Sequence, residues 1–140
     1  MNVTGSKYGQ CLYFTSAALA RKVDKLAQAS WKQVDLSPSH GYLLLSILEE
    51  PGMQPTALAE QLQLQPSTIT RLIEKLEEKK LVIRTTEGKL TNVYPTPRAK
   101  DLLPRMKACI EEFSGHYMKL LGAKESAAIV QQIANLTDKL

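Results

Sequence analysis

Five side chains near the start of one segment carry most of the chain's capacity for chemistry. They are Ser67, Thr68, Thr70, Arg71 and Lys75, within Gln65 to Lys80, QPSTITRLIEKLEEKK. None has a general base at motif spacing. Short hydroxyls, a forked guanidinium and an ammonium hydrogen-bond to phosphate oxygens and base edges without breaking a bond. Pro66 suits the first helical position, where its missing N–H is not needed and its φ is already helical. Ile69, Leu72, Ile73 and Leu76 recur at i, i+3, i+4, i+7, so one face of the helix packs inward and leaves the five polar residues outside. An ordinary amphipathic surface helix has the same period, so the flanking elements must decide between the two.

Other groupings are weaker. Cys109, Glu112 and His116 stand at i, i+3, i+7, as zinc ligands can, but a fourth ligand is wanting and the other histidine, His40, is remote in sequence. Cys11 and Cys109 form no C-x-x-C and no disulfide framework. No glycine-rich phosphate loop or nucleophile motif is present, so the chain is read as a non-enzyme with no cofactor and no metal.

At 140 residues the chain reads as one domain with a workable core. No apolar run approaches the roughly 18–20 residues that span a bilayer, and MNVTGSKYGQ is no signal pattern. A soluble cytoplasmic protein is expected, with no membrane contact. The net charge is +4, and between Pro66 and Lys100 eight cations face four anions, while the remaining ten of each cancel. An excess confined to one segment points to a polyanionic partner.

The positioning elements follow in order. A long helix is expected from about Tyr8 to Val34, with an apolar stripe of Leu12, Leu19, Val23 and Leu26. Ser37 caps a second helix with Pro38 at its first position, and Pro51-Gly52 ends it. A short third helix starts at Gln54-Pro55-Thr56, with Thr56 as cap. It is joined by a tight turn, about Gln63 to Gln65, to the helix described above, in a helix-turn-helix order. Leu81 to Thr86, rich in β-branched residues, and Leu90 to Tyr94 read as two strands about a turn at Glu87-Gly88-Lys89, forming a hairpin wing. Thr96-Pro97 opens a long helix to about Leu121 with Pro104 in an early turn, Gly122 breaks it, and a last helix runs to Leu140. The terminal helices bear apolar stripes with no sheet to cover, which calls for a second copy of the chain.

This layout, with LAEQL at Leu58–Leu62, PSTITRLIEKLEEKKLVIR at Pro66–Arg84 and PTPRAKDL at Pro95–Leu102, resembles the MarR family of transcription regulators. The resemblance implies a mainly α fold with a small β-hairpin wing, a winged helix-turn-helix flanked by N- and C-terminal dimerisation helices. About residues 8–34 and 98–140 would dimerise, and about 37–96 would form the DNA-binding lobe. It implies an effector-responsive repressor that binds a palindromic operator in double-stranded DNA as a homodimer. Family contact positions fall on Ser67, Thr68, Thr70, Arg71 and Lys75, with Arg84 and Lys89 added from the wing. The wing carries Glu87-Gly88-Lys89 where the family has D-x-R. Lys80 and Ala99 replace family glycines. The implied small-molecule effector would lie between the dimer helices and the DNA lobe, with Tyr13, Trp31 and Tyr42 as aromatic candidates that read equally well as core. Two alternatives stand beside this reading: a winged-helix protein-interaction module that never touches DNA, and a thiol-based redox sensor acting through Cys11.

Overall fold

The computed structural model describes residues 1–140. Six helices and one hairpin are present: α1 Leu12–Trp31, α2 Pro38–Glu49, α3 Pro55–Leu62, α4 Pro66–Glu78, β1 Val82–Glu87, β2 Leu90–Pro95, α5 Pro97–Leu121 and α6 Ala123–Lys139. No helix is long and apolar enough to cross a membrane.

Prolines set four of the helix starts. Pro38, Pro55, Pro66 and Pro97 each occupy the first turn, where a fixed φ helps and an absent N–H costs nothing. Ser37 and Thr96 also cap with their hydroxyls, accepting from the N–H of His40 and of Ala99 respectively, each at 3.3 Å. Thr56 does not cap α3: Pro55 takes the first helical position, so Gln54 becomes the N-cap and makes no side-chain bond. The first helix starts at Leu12, not near Tyr8. A 3-10 turn at Val3–Gly5 and further turns precede it, and a second 3-10 turn, Lys32–Val34, extends its far end.

Two helix ends use left-handed residues that are not glycine. Gln63 has φ 55°, and Leu64 N–H bonds back to Ala59 O at 3.0 Å. Lys80 has φ 61°, and Leu81 N–H bonds back to Leu76 O at 2.9 Å. Both are Schellman closures, which satisfy the last carbonyls of the helix. The turn of the helix-turn-helix therefore needs no glycine, and Lys80 keeps the backbone that a glycine would adopt. A side chain in that conformation costs roughly 1–2 kcal/mol, while glycine loses roughly 0.5–1 kcal/mol more conformational entropy on folding. Lys80→Gly is expected to leave the fold intact and raise stability by a net fraction of a kcal/mol up to about 1. Denaturant midpoints measure this, and a lowered midpoint would contradict it.

The core is one cluster. Leu43, Leu44 and Ile47 of α2, Leu58 of α3, Ile69, Ile73 and Leu76 of α4, Val82 and Val93 of the hairpin, and Met106 and Cys109 of α5 are all buried. Trp31, at the end of α1, is fully buried against them. The hairpin pairs antiparallel from Val82↔Pro95 to Glu87↔Leu90, so the loop is Gly88-Lys89 alone, with Gly88 at φ 66°. A two-residue loop with glycine first matches the twist of the flanking strands. Thr96 links the start of α5 to the end of α4, its hydroxyl donating to Lys80 O at 2.8 Å and its N–H to Leu81 O at 3.0 Å.

The ends of the chain stand apart from this core. Leu12, Leu19 and Val23 of α1, Leu120 and Leu121 of α5, and Ile129, Val130, Ile133, Leu136 and Leu140 at the C-terminal end are exposed. Of α6 only Ser126 is buried.

Candidate nucleic-acid interface

The apolar stripe of α4 buries Ile69, Ile73 and Leu76 against α2 and α3, with Leu72 half-buried beside them. That packing fixes the rotation of the helix. Ser67, Thr70, Arg71 and Lys75 are exposed and Thr68 is partly so. Gln65, the N-cap, offers no side-chain bond, and the first residue bonded back to it is Ile69, whose N–H donates to Gln65 O at 3.1 Å. Uncapped N–H groups at the positive end of a helix are ready donors for a phosphate oxygen.

The five residues differ in freedom. The Thr70 hydroxyl donates to Pro66 O at 3.1 Å, so this side chain presents acceptor lone pairs and a methyl group outward. Lys75 Nζ lies 3.4 Å from Glu78 Oε2 with both side chains largely solvated, a weak tie that an incoming phosphate can replace. Arg71 forms no ion pair within the chain. His40, at the start of α2, has its pKa held below the usual imidazole value by burial first and then by Lys79 and Lys75, which keeps it neutral near pH 7.

The wing departs from expectation in one respect. Arg84 lies in register with Val93, on the same strand face as buried Val82, and its Nη2 sits 2.7 Å from Glu77 Oε1 on α4. That pair ties the hairpin to the helix. Lys89 is exposed at the loop tip.

The three aromatic effector candidates do not form one site. Trp31 and Tyr42 are neighbours, with ring centroids 5.7 Å apart, but Trp31 is wholly enclosed by the core and offers no surface to a ligand. Tyr13 is 82% exposed and lies eighteen residues before Trp31 on the same helix, about 27 Å along its axis. Tyr42 borders a concavity, a hollow of about 230 Å³ shared with Pro38, Ser39, Leu62 and Leu64. Burial, and to a lesser extent Tyr117, raises the Tyr42 pKa.

Cys11 is exposed at the N-cap of α1. The nearest cation in sequence, Lys7, places its ammonium 5.2 Å from the centre of the Tyr8 ring. Cys109 is buried, and burial, then Glu112, pushes its thiol pKa up, against a smaller opposing pull from Arg105. No group of three or more His, Cys, Asp and Glu side chains stands close enough to hold a metal, and Glu112 instead accepts from Gln33.

A larger crevice was not legible in the sequence. About 550 Å³ in volume, it lies between the α1–α2 linker, the end of α4 and the start of α5, and its charged lining is Asp35, Glu78, Lys79, Lys80, Arg98 and Arg105. Those segments are well separated in the chain, and only the adjacent Lys79-Lys80 hinted at a cluster.

A two-helix unit joined by a tight turn, an exposed polar face on its second helix and a following hairpin define a winged helix-turn-helix protein. Residues 36–87 match the model described as MarR family. The chain is 27% identical over 92 residues to the uncharacterized HTH-type transcriptional regulator YybA of Bacillus subtilis (strain 168), a match covering 64% of this chain and 61% of that relative. Among solved structures, the transcriptional repressor CouR bound to p-coumaroyl-CoA superimposes with a TM-score of 0.87 at 18% identity, covering 99% of this chain and 100% of that one. CouR bound to a 23-mer DNA duplex gives 0.85 at 20% identity, covering 96% of each.

Proposed function

We propose that this protein is a sequence-specific DNA-binding transcriptional regulator, an effector-responsive repressor that binds a palindromic operator as a homodimer in the cytoplasm. One observation carries the reading: α4 is rotated by its buried stripe so that an uncapped N-terminus, Ser67, Thr68, Thr70, Arg71 and Lys75 all face outward. Arg71 is assigned to a base edge, Ser67, Thr68 and Lys75 to phosphates or flanking bases, and Lys89 to the backbone beside the wing. Thr70 meets the duplex through its methyl or as an acceptor. Arg84 is assigned the role of holding the wing against α4. Residues 37–96 form the DNA lobe, and the helices on either side join the two copies.

The alternative, a winged helix that binds only proteins, separates by salt. DNA contacts release counterions, so duplex affinity is expected to fall by roughly 10³-fold between about 50 and 200 mM salt if six or more phosphates are engaged. Absence of duplex binding at the lower salt would favour the protein-interaction reading.

The dimer is tested separately. Exposed apolar side chains on α1, the end of α5 and α6 form stripes of the kind that mark an interaction surface. Sedimentation at micromolar concentration is expected to give twice the chain mass, and Ile133→Glu or Leu136→Glu should shift the chain to monomer. A wild-type monomer would contradict the assignment.

A further inference from the structure

We propose that the DNA-contacting surface continues past α4 onto the start of α2, where His40, beside Lys75 and Lys79, binds a backbone phosphate as an imidazolium, so that duplex affinity rises as pH falls. The inference rests on the regulator reading and deepens it, adding a contact outside the helix-turn-helix and a response to pH.

Arg71, Lys75 and Lys79 stand at i, i+4 and i+8, one above another on one side of α4 and its C-cap. The row covers about 12 Å of helix axis, comparable with the roughly 12 Å width of the major groove. A row that begins at a residue assigned to a base edge therefore ends where a phosphate backbone bounds the groove. His40 lies at that far end, in the first turn of α2, close enough for the charges of Lys79 and Lys75 to act on its ring. Of the elements packed against α2, α4 alone supplies such a charge; none comes from α1, α3, α5 or the hairpin. The carboxylates beside the two lysines hold them weakly. Lys79 Nζ lies 3.2 Å from Asp35 Oδ2, a side chain that is 99% exposed, and Lys75 has only its solvated partner Glu78. Both ammonium groups can turn to an incoming phosphate.

The cap of α2 prepares the ring for this contact. Ser37 Oγ is within hydrogen-bond distance of His40 Nδ1 and also accepts from the His40 backbone N–H. In the neutral ring the Ser37 hydroxyl donates to Nδ1, which leaves the ring proton on Nε2. Nε2 has no partner within the chain and the residue is only half-buried, so this N–H is open to an outside acceptor. When the ring gains a proton, Nδ1–H donates to Ser37 Oγ instead, and Nε2–H becomes a charge-assisted donor, roughly twice as strong toward an anionic oxygen. In the free protein burial first, then Lys79 and Lys75, hold the His40 pKa down. A phosphate seated among the three side chains offsets the lysines and favours the imidazolium, so the pKa is higher in the complex than in the free protein. The complex then holds more protons than its separate partners. Affinity rises as pH falls through the interval between the two pKa values and levels off below the lower one.

The test measures the affinity of the full chain for a duplex it selects and for a scrambled one, from pH 8 to pH 6 at constant ionic strength. In parallel the His40 ring is titrated by NMR in the free and the DNA-bound protein. A phosphate that raises the imidazole pKa by about one unit is worth at most about tenfold per subunit. Because the range samples only part of the interval, a dimer is expected to gain roughly tenfold between pH 8 and pH 6. A phosphate contact carries no sequence information, so the gain should be similar on both duplexes. His40→Gln should remove the gain and leave affinity at pH 8 little changed. His116→Gln, at the chain's only other histidine, exposed on α5, should keep it. The ring pKa should be higher in the complex, a reading that needs no variant to fold. An unchanged ring pKa, or an equal gain in wild type and His40→Gln, overturns the proposal while duplex binding itself leaves the regulator reading standing. A gain confined to the selected duplex would mean a base contact and would overturn the phosphate assignment. If no duplex binds at any pH, the regulator reading and this contact fall together.

Discussion

Arg71→Ala is expected to lower operator affinity by roughly 1–3 kcal/mol per half-site, hence about 2–6 kcal/mol for a dimer on two half-sites, and to relax preference at one base position in each. Arg71 lies in the second turn of α4, exposed and free of any ion pair within the chain, opposite a stripe that fixes the helix's rotation. Its planar fork matches guanine O6 and N7, and the early turns of such a helix come nearest the base edges. Lys89→Ala is expected to behave differently. A solvated ammonium at the tip of a two-residue loop supplies a point charge, so its loss should weaken operator and scrambled DNA alike and reduce the salt slope by about one unit. Titrating both variants on both DNAs at several salt concentrations separates the two roles. Equal losses on both DNAs for Arg71→Ala would make it a phosphate anchor instead.

Gly41→Ala is expected to destabilise the fold by about 1–2 kcal/mol net, although alanine is the better helix former. Gly41 lies inside α2, where propensity alone favours alanine by roughly 1 kcal/mol. A Cβ there would stand 2.6 Å from Trp31 Cη2 and 2.7 Å from Trp31 Cε3. Trp31 is fully enclosed and has Tyr42 tilted against its ring, so it has little room to retreat. Overpacking of this kind costs roughly 1–3 kcal/mol and sometimes more. The clash involves several ring atoms and should outweigh the gain in propensity. Thermal unfolding at fixed protein concentration should show a melting point lowered by several degrees. A raised melting point would mean that propensity prevails and that the indole shifts freely.

Much of the fold was legible because its signals are local. Ser37-Pro38 and Thr96-Pro97 announce caps, Gly122 a break, and the period of Ile69, Ile73 and Leu76 the orientation of α4, all within a few residues of where they act. The misplaced cap at Thr56 shows the limit of reading hydroxyls without the neighbouring proline, since Pro55 had already taken the first helical position. The early start assigned to α1 reflects turns at residues 3–10 that no proline marks and that the apolar stripe does not reach.

The candidate contact residues were legible only where a single helix carries them. Arg84 reads as one more cation in a basic segment, and its pairing with Glu77 depends on the hairpin folding back on α4. Trp31 reads equally as a ligand contact and as core, and its burial follows from a glycine ten residues later that lets the ring seat on α2. The crevice of Asp35, Lys79, Lys80, Arg98 and Arg105 is assembled from three segments, two of them anchored through left-handed residues whose types did not announce that conformation.

The most direct test of the central claim, that α4 reads DNA as one of a symmetric pair, is selection of bound duplexes from a random pool by the wild-type protein. The expected result is enrichment of a two-fold-symmetric sequence, with half-site centres about one helical turn, roughly 34–36 Å, apart or a multiple of that, and with Arg71→Ala losing the preference at one position in each half-site. A pool that remains unenriched while the protein is folded and dimeric would contradict it.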